Sequence, residues 1–322
     1  MSDKEIGGFF GLELTSYKNM PQQNGVLLNS CRNSLKYILL AIESSIKKVY
    51  IPYYTCHSIA KLLQKLQIPY KEYHITPSLE ISTLPKLQSG EYIIANNYFG
   101  IKDSYINKLA TQFSYSLISD MAQALYAKHT AYSFYSMRKF VGVADGGVAY
   151  LPPEVTIPAV NETDESWDAS TYLLKRWDLG ASATYADCKA SGQILVNKAL
   201  KRISNLTQTL LNSMNFKVIK QIRNKNYLII HRALGHLNEL SISDKGFACP
   251  MTYPLLLANG EKLKQKLIDR KIYIPTYWPH IKMTLPPNTF EYYLATNLIS
   301  IPIDQRYNEA DMHQIIDIIK KL

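Results

Sequence analysis

The sequence predicts an α/β fold, with a mainly parallel sheet in a large domain and a smaller α+β domain at the C-terminus. Between about residues 26 and 155, short apolar runs rich in β-branched and aromatic residues alternate with segments of helical character. This alternation is typical of a parallel sheet covered by helices, because successive parallel strands must be joined by a crossover. The strand candidates are residues 49–52, 91–95, 116–119 and 147–150.

Composition changes along the chain predict its domain organisation. The stretch 6–10 is too rich in glycine for a core helix, and the chain from about residue 152 is rich in proline and polar residues, which predicts a loop. The last apolar pattern predicts a helix over residues 309–320. The expected segments are an N-terminal arm at residues 1–25, a large α/β domain at 26–166, a helical segment at 167–236 and a small α+β domain at 237–322.

Overall composition agrees with a soluble protein, and we expect it in the cytoplasm. The chain has 322 residues, of which 47% are hydrophobic and 19% charged, so it can bury a large core. No apolar run approaches the length of a membrane span, and the polar start does not resemble a signal peptide. The four cysteines show no paired spacing, which favours reduced thiols, and the seven histidines form no ligand pattern, so we expect no metal site.

The net charge of +10 raises the question of nucleic-acid binding. Many of the basic residues lie between Lys198 and Arg232, where they are interleaved with Leu, Ile and Val. That pattern is typical of amphipathic helices with a solvated basic face, and no nucleic-acid-binding motif accompanies it. We therefore expect no nucleic-acid partner, whereas a diphosphate-bearing substrate would use the same positive field.

An acid, an amide and a lysine lie close together in the middle of the chain. Asp120 follows a short apolar run, Gln123 comes three residues later, and Lys139 precedes the pair Gly146 and Gly147. We predict a strand ending at Asp120 and a helix over residues 121–128, which contains several alanines. Pyridoxal phosphate (PLP) requires a lysine amine and a carboxylate facing its ring nitrogen, so this combination suits PLP chemistry. The alternative is that Asp120 is only a helix N-cap.

A second polar cluster precedes the first helical pattern of the large domain. Ser30, Cys31 and Arg32 stand just before a run with apolar residues at helical spacing. Backbone N–H groups and the helix dipole both favour an anion at such a position. The alternative is an ordinary capped helix.

Taken in order, these motifs resemble those of the nucleotide-sugar aminotransferases, which are aspartate-aminotransferase-like, fold type I PLP enzymes. The resemblance extends from about residue 26 to the C-terminus, with gaps between 155 and 215. It rests on Ser30 and Cys31 at a helix start, residues 52–55, Asp120 and Gln123, the serine-containing run before Lys139, residues 145–147, the Arg-x-x-Asn-Tyr pattern at 223–227, and the segment 267–275.

The resemblance implies a role for each matched residue. Lys139 would form the Schiff base with PLP and move the proton on the substrate, and Asp120 would keep the ring nitrogen protonated. Gln123 would lie beside the ring and its 3-hydroxyl. The phosphate would be held by Ser136 or Ser133 together with the backbone at Cys31 and Arg32.

The chain departs from the family pattern at several positions. Counting back from the glycine pair assigns the Schiff-base lysine to Lys139, whereas counting forward from Ser133 assigns it to Arg138. Arginine stays protonated, so chemistry selects Lys139. Arg32 stands where the family has a small threonine, and it would bind either the phosphate or the substrate.

The expected ring-stacking aromatic is replaced by Cys56. One of the nearby aromatic residues would take over the stacking, and the sequence does not select among Tyr53, Tyr54 and His57. The asparagine with which a partner subunit of these enzymes commonly touches the phosphate has no clear match.

The predicted function is a PLP-dependent aminotransferase. It would transfer an amino group, with glutamate as the expected amino-acid donor, to a nucleotide-linked keto sugar in surface-polysaccharide or related amino-sugar biosynthesis. The resemblance also implies a homodimer, because such enzymes build each site across a two-fold interface. The alternative is a catalytically altered relative that binds a ligand or partner.

Overall fold

The computed structural model describes residues 6–155 and 159–321, and its main feature is a seven-stranded mixed sheet. Spatially the strands follow the order β1-β7-β6-β5-β4-β2-β3, and all neighbours from β6 to β3 are parallel. Strand β7 is antiparallel to both β1 and β6. The strands are β1 (Val26–Leu28), β2 (Lys48–Pro52), β3 (Tyr70–Tyr73), β4 (Glu91–Asn96), β5 (Leu117–Met121), β6 (Tyr132–Ser136) and β7 (Gly147–Tyr150). The mainly parallel sheet of the predicted α/β fold is confirmed.

Helices cover the sheet and continue into the C-terminal part of the chain. That part also contains a small antiparallel sheet of β8 (Tyr253–Leu256) and β9 (Leu298–Ile301). The helices are α1 (Cys31–Ala41), α2 (His57–Lys65), α3 (Asp103–Phe113), α4 (Thr171–Ala183), α5 (Tyr185–Ile194), α6 (Asn205–Asn212), α7 (Phe216–Leu234), α8 (Gly260–Asp269), α9 (Ile281–Thr284), α10 (Phe290–Asn297) and α11 (Glu309–Lys320). None of these helices is long and apolar enough to cross a membrane.

The large sheet is buried on both faces, and the alternation of side chains assigns each residue to one of them. Ile94, Ile118 and Phe134 pack with α1 and α2 on one face. Neighbouring residues such as Leu117 and Tyr135 belong to the core on the opposite face, which continues through α7 and α11 into the small sheet. A side chain near the carboxyl ends of the strands therefore faces either the core beneath α1 and α2 or the core that continues through α7 and α11.

Most of the predicted strands and the last helix are confirmed, with small changes in their limits. The strand predicted at 116–119 begins at Leu117 and continues through Asp120 to Met121, because residues 114–116 form a 3₁₀ turn. The described part of the N-terminal arm contains no helix or strand up to β1, and its first apolar side chains are exposed. Strands β1, β3 and β6 were not among the sequence-based candidates.

The predicted helix over residues 121–128 is wrong. Met121 ends β5, and the residues from 122 to 127 form consecutive turns, in which the N–H of Ala124 donates to the carbonyl of Met121. The Gln22 amide donates to the carbonyls of Leu125 and Ala127 at 2.9 and 2.8 Å. Contacts with a distant segment therefore replace the helical hydrogen bonds and override a favourable local propensity.

Candidate active site

A cavity of about 420 Å³ lies at the carboxyl ends of β4, β5 and β6, beside the start of α1. Ligands bind at this edge in open α/β sheets, because the loops that follow parallel strands meet there. The structure brings six of the seven sequence-predicted site residues to this cavity. Its lining includes Cys31, Arg32, Asp120, Gln123, Ser136 and Lys139, and further Cys56, Asn96 and Trp278.

Ser133 is the predicted residue that does not line the cavity. It lies next to Phe134, and its side chain therefore points to the opposite face of β6 from Ser136. Its hydroxyl accepts a hydrogen bond from the N–H of Thr130 at 2.8 Å. Of the two serine alternatives left open by the sequence, only Ser136 has access to the cavity.

Asp120 is a buried carboxyl at the end of β5, on the sheet face that carries α1. One carboxylate oxygen accepts a hydrogen bond from the N–H of Ala122 at 2.9 Å. Burial raises the pKa of Asp120, while the charge of Lys139 and the Ala122 hydrogen bond lower it in part. No helix begins at this position, so the N-cap alternative does not apply. A cationic group in the cavity would stabilise the carboxylate.

Lys139 and Arg138 are adjacent in sequence but act on different groups. Lys139 is exposed, and its charge lowers the pKa of both Asp120 and Cys31. The charge of Arg138 acts on the phenol of Tyr172 instead. The lysine is therefore the basic residue whose field reaches the buried acid.

The start of α1 closes the side of the cavity next to β7. The Ser30 hydroxyl accepts from the N–H of Asn33 at 3.1 Å and caps the helix. The first N–H groups of a helix have no intrahelical partner, so the backbone at Cys31 and Arg32 offers donors to an anion. A Cβ atom on Gly147 would lie 2.6 Å from the nitrogen of Cys31, so only glycine permits this close approach of β7.

The Arg32 side chain lines the cavity but is already partly engaged. Its Nη1 donates to the carbonyls of Leu195 and Val196, just after α5. These contacts tie the start of α1 to the end of α5. The remaining guanidinium nitrogens of Arg32 are the donors that it can offer to an anion.

Two buried amide groups in the cavity have polar atoms without a partner among the described residues. Gln123 accepts from the N–H of Phe99 at 2.8 Å, but its Nε2 has no acceptor. Asn96 donates to the hydroxyl of Thr55 at 2.9 Å, but its Oδ1 has no donor. Each buried polar atom left unpaired costs about 1–3 kcal/mol. A polar ligand in this cavity would satisfy them.

The aromatic residues proposed to replace the ring-stacking residue are used elsewhere. Tyr53 packs on His74 and His57 on His280, with ring centroids 4.6 and 4.9 Å apart. Tyr54 is fully buried. None of the three lines the cavity. We therefore correct the expectation that one of them stacks on a bound ring.

Trp278 is an aromatic side chain of the cavity that the sequence alone did not assign to the cofactor ring. It lines the cavity from the segment between α8 and α9, and Tyr54 supports it edge-on with ring centroids 4.6 Å apart. Its backbone has a φ of +56°, a conformation that is costly for a bulky residue. The cluster of aromatic residues at 273–278 was visible in the sequence, but nothing local linked it to Asp120.

Burial limits the chemistry of Cys31 in the cavity and gives Asp145 a structural role beside it. Burial raises the pKa of the Cys31 thiol, which is therefore neutral and not a nucleophile. Asp145 is fully buried and accepts from both the N–H and the hydroxyl of Ser204, at 3.0 and 2.9 Å. It holds the start of α6 against the turn that precedes Gly147.

Comparison with known proteins identifies the fold. No protein-family model matches the sequence, and a search of curated proteins finds no relative. Among solved structures, a DegT/DnrJ/EryC1/StrS aminotransferase from Brucella abortus is similar with a TM-score of 0.64 at 14% identity, covering 92% of this chain and 85% of its own. PseC from Helicobacter pylori, an aminotransferase of pseudoaminic acid biosynthesis, gives 0.60 at 15% identity, with 92% and 85% covered.

A third similar structure is that of DesI, determined in the presence of its TDP-sugar product. It has a TM-score of 0.60 at 12% identity and covers 92% of this chain and 80% of its own. These similarities cover almost the whole described chain and include both the large sheet and the C-terminal part. The chain therefore has the fold of the DegT/DnrJ/EryC1/StrS sugar aminotransferases, which is fold type I of the PLP-dependent transferases.

Proposed function

We propose that this protein is a PLP-dependent aminotransferase that transfers an amino group to a nucleotide-linked keto sugar. The observation that carries the proposal is a single cavity in which the buried Asp120 faces the charge of Lys139, beside the unpaired amide nitrogen of Gln123. A binding protein has no need for a lysine beside a buried acid. The fold of the sugar aminotransferases supports the same conclusion.

The residues present fit PLP. The unpaired Nε2 of Gln123 provides a donor for the ring hydroxyl, and the backbone at Cys31 and Arg32 provides donors for the phosphate. Ser136 adds a hydroxyl, and Gly147 has no side chain that would cover the helix start. Trp278 would cover the ring in place of the aromatic residue that Cys56 replaces.

PLP supplies an electron-withdrawing ring that stabilises negative charge on a substrate carbon. Asp120 would hold a proton at the ring nitrogen, since a carboxylate next to a cation has a lower pKa than a buried carboxyl alone. Lys139 would anchor the cofactor through its amine and then move the proton at the substrate carbon. Burial of the acid excludes water, which strengthens its interaction with the ring.

We propose glutamate as the amino donor and amino-sugar biosynthesis, including that of surface polysaccharides, as the context. A homodimer is proposed as well, in which a second subunit would complete each site, because the resemblance implies one and a two-fold pair is the commonest assembly of soluble proteins. The alternative, a relative that binds a ligand without turnover, predicts no reaction with an amino donor.

An absorbance titration with PLP tests the proposal. We expect a visible band that borohydride abolishes, and peptide mapping should then find the reduced adduct on Lys139. Addition of glutamate should shift the band of the untreated protein. Lys139→Ala should lose the band, whereas Lys262→Ala, an exposed lysine on α8, should keep it. An adduct on another lysine, or a band that glutamate leaves unchanged, would contradict the proposal.

A further inference from the structure

A second cavity, of about 690 Å³, adjoins the proposed active site. It lies between the loop after β6, helices α4 and α7, and the loop at residues 304–306. Arg138, Lys139, Tyr172 and Cys188 line both cavities, so the two spaces meet at the lysine. A ligand that occupies the second cavity can therefore extend to Lys139.

The second cavity is strongly cationic. Its described lining contains five basic side chains and one carboxylate, that of Asp304; the basic residues are Arg138, Lys139, Arg176, Arg223 and Arg306. The carboxylate is already paired, because Arg306 binds it through two nitrogens at 2.7 and 2.8 Å. This pair leaves four positive charges around the cavity.

Arg223 holds the walls of the cavity together. Its two terminal nitrogens donate to the carbonyls of Met251 and Phe140 at 2.8 and 3.0 Å, and its Nε donates to Gln305. Each of its three nitrogens is engaged with the protein, and the side chain is only 2% exposed. Arg223 therefore contributes mainly charge to the cavity.

Arg138 and Arg176 are the arginines of the cavity that are available to a ligand. Among the described residues, neither has a carboxylate within salt-bridge distance, and the buried Nε of Arg138 has no acceptor. Burial raises the pKa of Tyr172, while the charges of both arginines and a hydrogen bond from Arg138 lower it, so both guanidinium groups lie near this phenol. Two guanidinium groups without a carboxylate partner around one polar centre suit a phosphate or diphosphate, which accepts hydrogen bonds from both.

Trp177 adds an apolar surface to the same cavity. It lines the cavity from α4 but is 92% exposed, and α4 has no buried residue. The indole therefore contributes nothing to the core of the described chain. Exposed aromatic rings beside basic groups bind nucleotide bases by stacking.

We propose that the second cavity binds the nucleoside diphosphate part of the substrate. Arg138 and Arg176 bind the diphosphate oxygens, Trp177 stacks on the base, and the attached sugar reaches Lys139. The assignment rests on the proposed function, since it identifies how the substrate of that same site is held. It also assigns a role to Arg138, the residue that occupies the Schiff-base position when the sequence is counted forward from Ser133.

Calorimetric titration of the full chain, without and with PLP, tests the proposal. UDP, TDP, GDP and CDP are the nucleotide probes, and inorganic pyrophosphate, uridine and glutamate are titrated in parallel. We expect at least one nucleoside diphosphate to bind more tightly than pyrophosphate, and both to bind more tightly than uridine. Arg138→Gln and Arg176→Gln should each weaken diphosphate binding by roughly ten- to a hundredfold, the usual effect of losing a charged hydrogen bond. Trp177→Ala should weaken nucleotide binding by roughly tenfold and leave pyrophosphate binding unchanged.

Arg232→Gln is the matched control, since Arg232 is exposed on α7, lines neither cavity and loses the same charge. If Arg232→Gln lost as much diphosphate affinity as the other two variants, the effect would come from long-range charge alone, and the proposed site would be wrong. Binding of glutamate in place of the nucleotides would assign Arg138 and Arg176 to the amino donor and overturn the proposal. Failure of every nucleotide to bind would also overturn it. The PLP absorbance band is measured separately, so nucleotide binding without that band would reject the proposed function and retain this site.

Discussion

The contact between Gly147 and the start of α1 offers a sharp test of how the sheet builds the proposed phosphate site. A Cβ atom on Gly147 would lie 2.5 Å from the carbonyl carbon of Ser30 and 2.6 Å from the nitrogen of Cys31. Ordinary contact begins at 3.4 Å, so the shortest approach falls short by 3.4 − 2.5 = 0.9 Å. All the opposing atoms belong to the backbone and cannot rotate away. Gly147→Ala must therefore separate β7 from the helix start.

Overpacking of this kind costs about 1–3 kcal/mol of the free energy of unfolding. Displacing the N–H groups of Cys31 and Arg32 should also weaken PLP binding roughly ten- to a hundredfold, because a charged hydrogen bond contributes about 1.5–3 kcal/mol. Denaturant unfolding measures the first effect and PLP titration measures the second.

Gly142→Ala is the matched control for this prediction. A Cβ atom there would meet only Leu173, at an ordinary 3.6 Å. The control should retain both stability and PLP affinity. If Gly147→Ala matched Gly142→Ala in both measurements, the close approach of β7 to α1 would not be needed for the site.

Four further predictions concern the same cavity and its assembly. Asp120→Asn should keep PLP bound but slow the half-reaction with an amino donor by orders of magnitude, because a neutral ring withdraws electrons less well; full activity in stopped-flow measurements would reject this role. Arg32→Ala should weaken PLP binding with little effect on turnover at saturating PLP, whereas a raised KM for one substrate would assign Arg32 to that substrate. Trp278→Ala should weaken PLP binding and reduce the quenching of tryptophan fluorescence by PLP, and Trp278→Phe should recover the affinity; equal affinities would show that the ring does not contact this side chain. Light scattering should find a homodimer, and an active monomer would contradict the proposed completion of the site by a second subunit.

Elements with strong local signals were predictable from the sequence. The end of the chain shows this well, since α11 covers the predicted residues 309–320 and begins with a capping box between Asn308 and Asp311. Strand β7 matches its predicted limits as well. In both cases the hydrogen bonds and apolar contacts that define the element recur at short, regular spacing, so they are visible in a single stretch of sequence.

The segment after Asp120 shows where local signals fail. Residues 121–128 are good helix formers, yet they form turns whose polar groups bond to Gln22 and Phe99. Both partners are far away in sequence. A segment whose backbone is satisfied by distant groups does not follow its own propensity.

The sequence by itself determined which chemical groups this protein possesses and in what order, and this was enough to predict the α/β fold and to select Asp120, Gln123 and Lys139. The tertiary structure decided which side chains share one space. Ser136 reaches the cavity and Ser133 does not because alternate residues of a strand face opposite sides. Trp278 arrives from a segment far along the chain, and the charge of Lys139 acts on the buried acid while that of its neighbour Arg138 acts on Tyr172. Proximity of this kind depends on strand pairing and on the packing of distant segments, which no local pattern encodes.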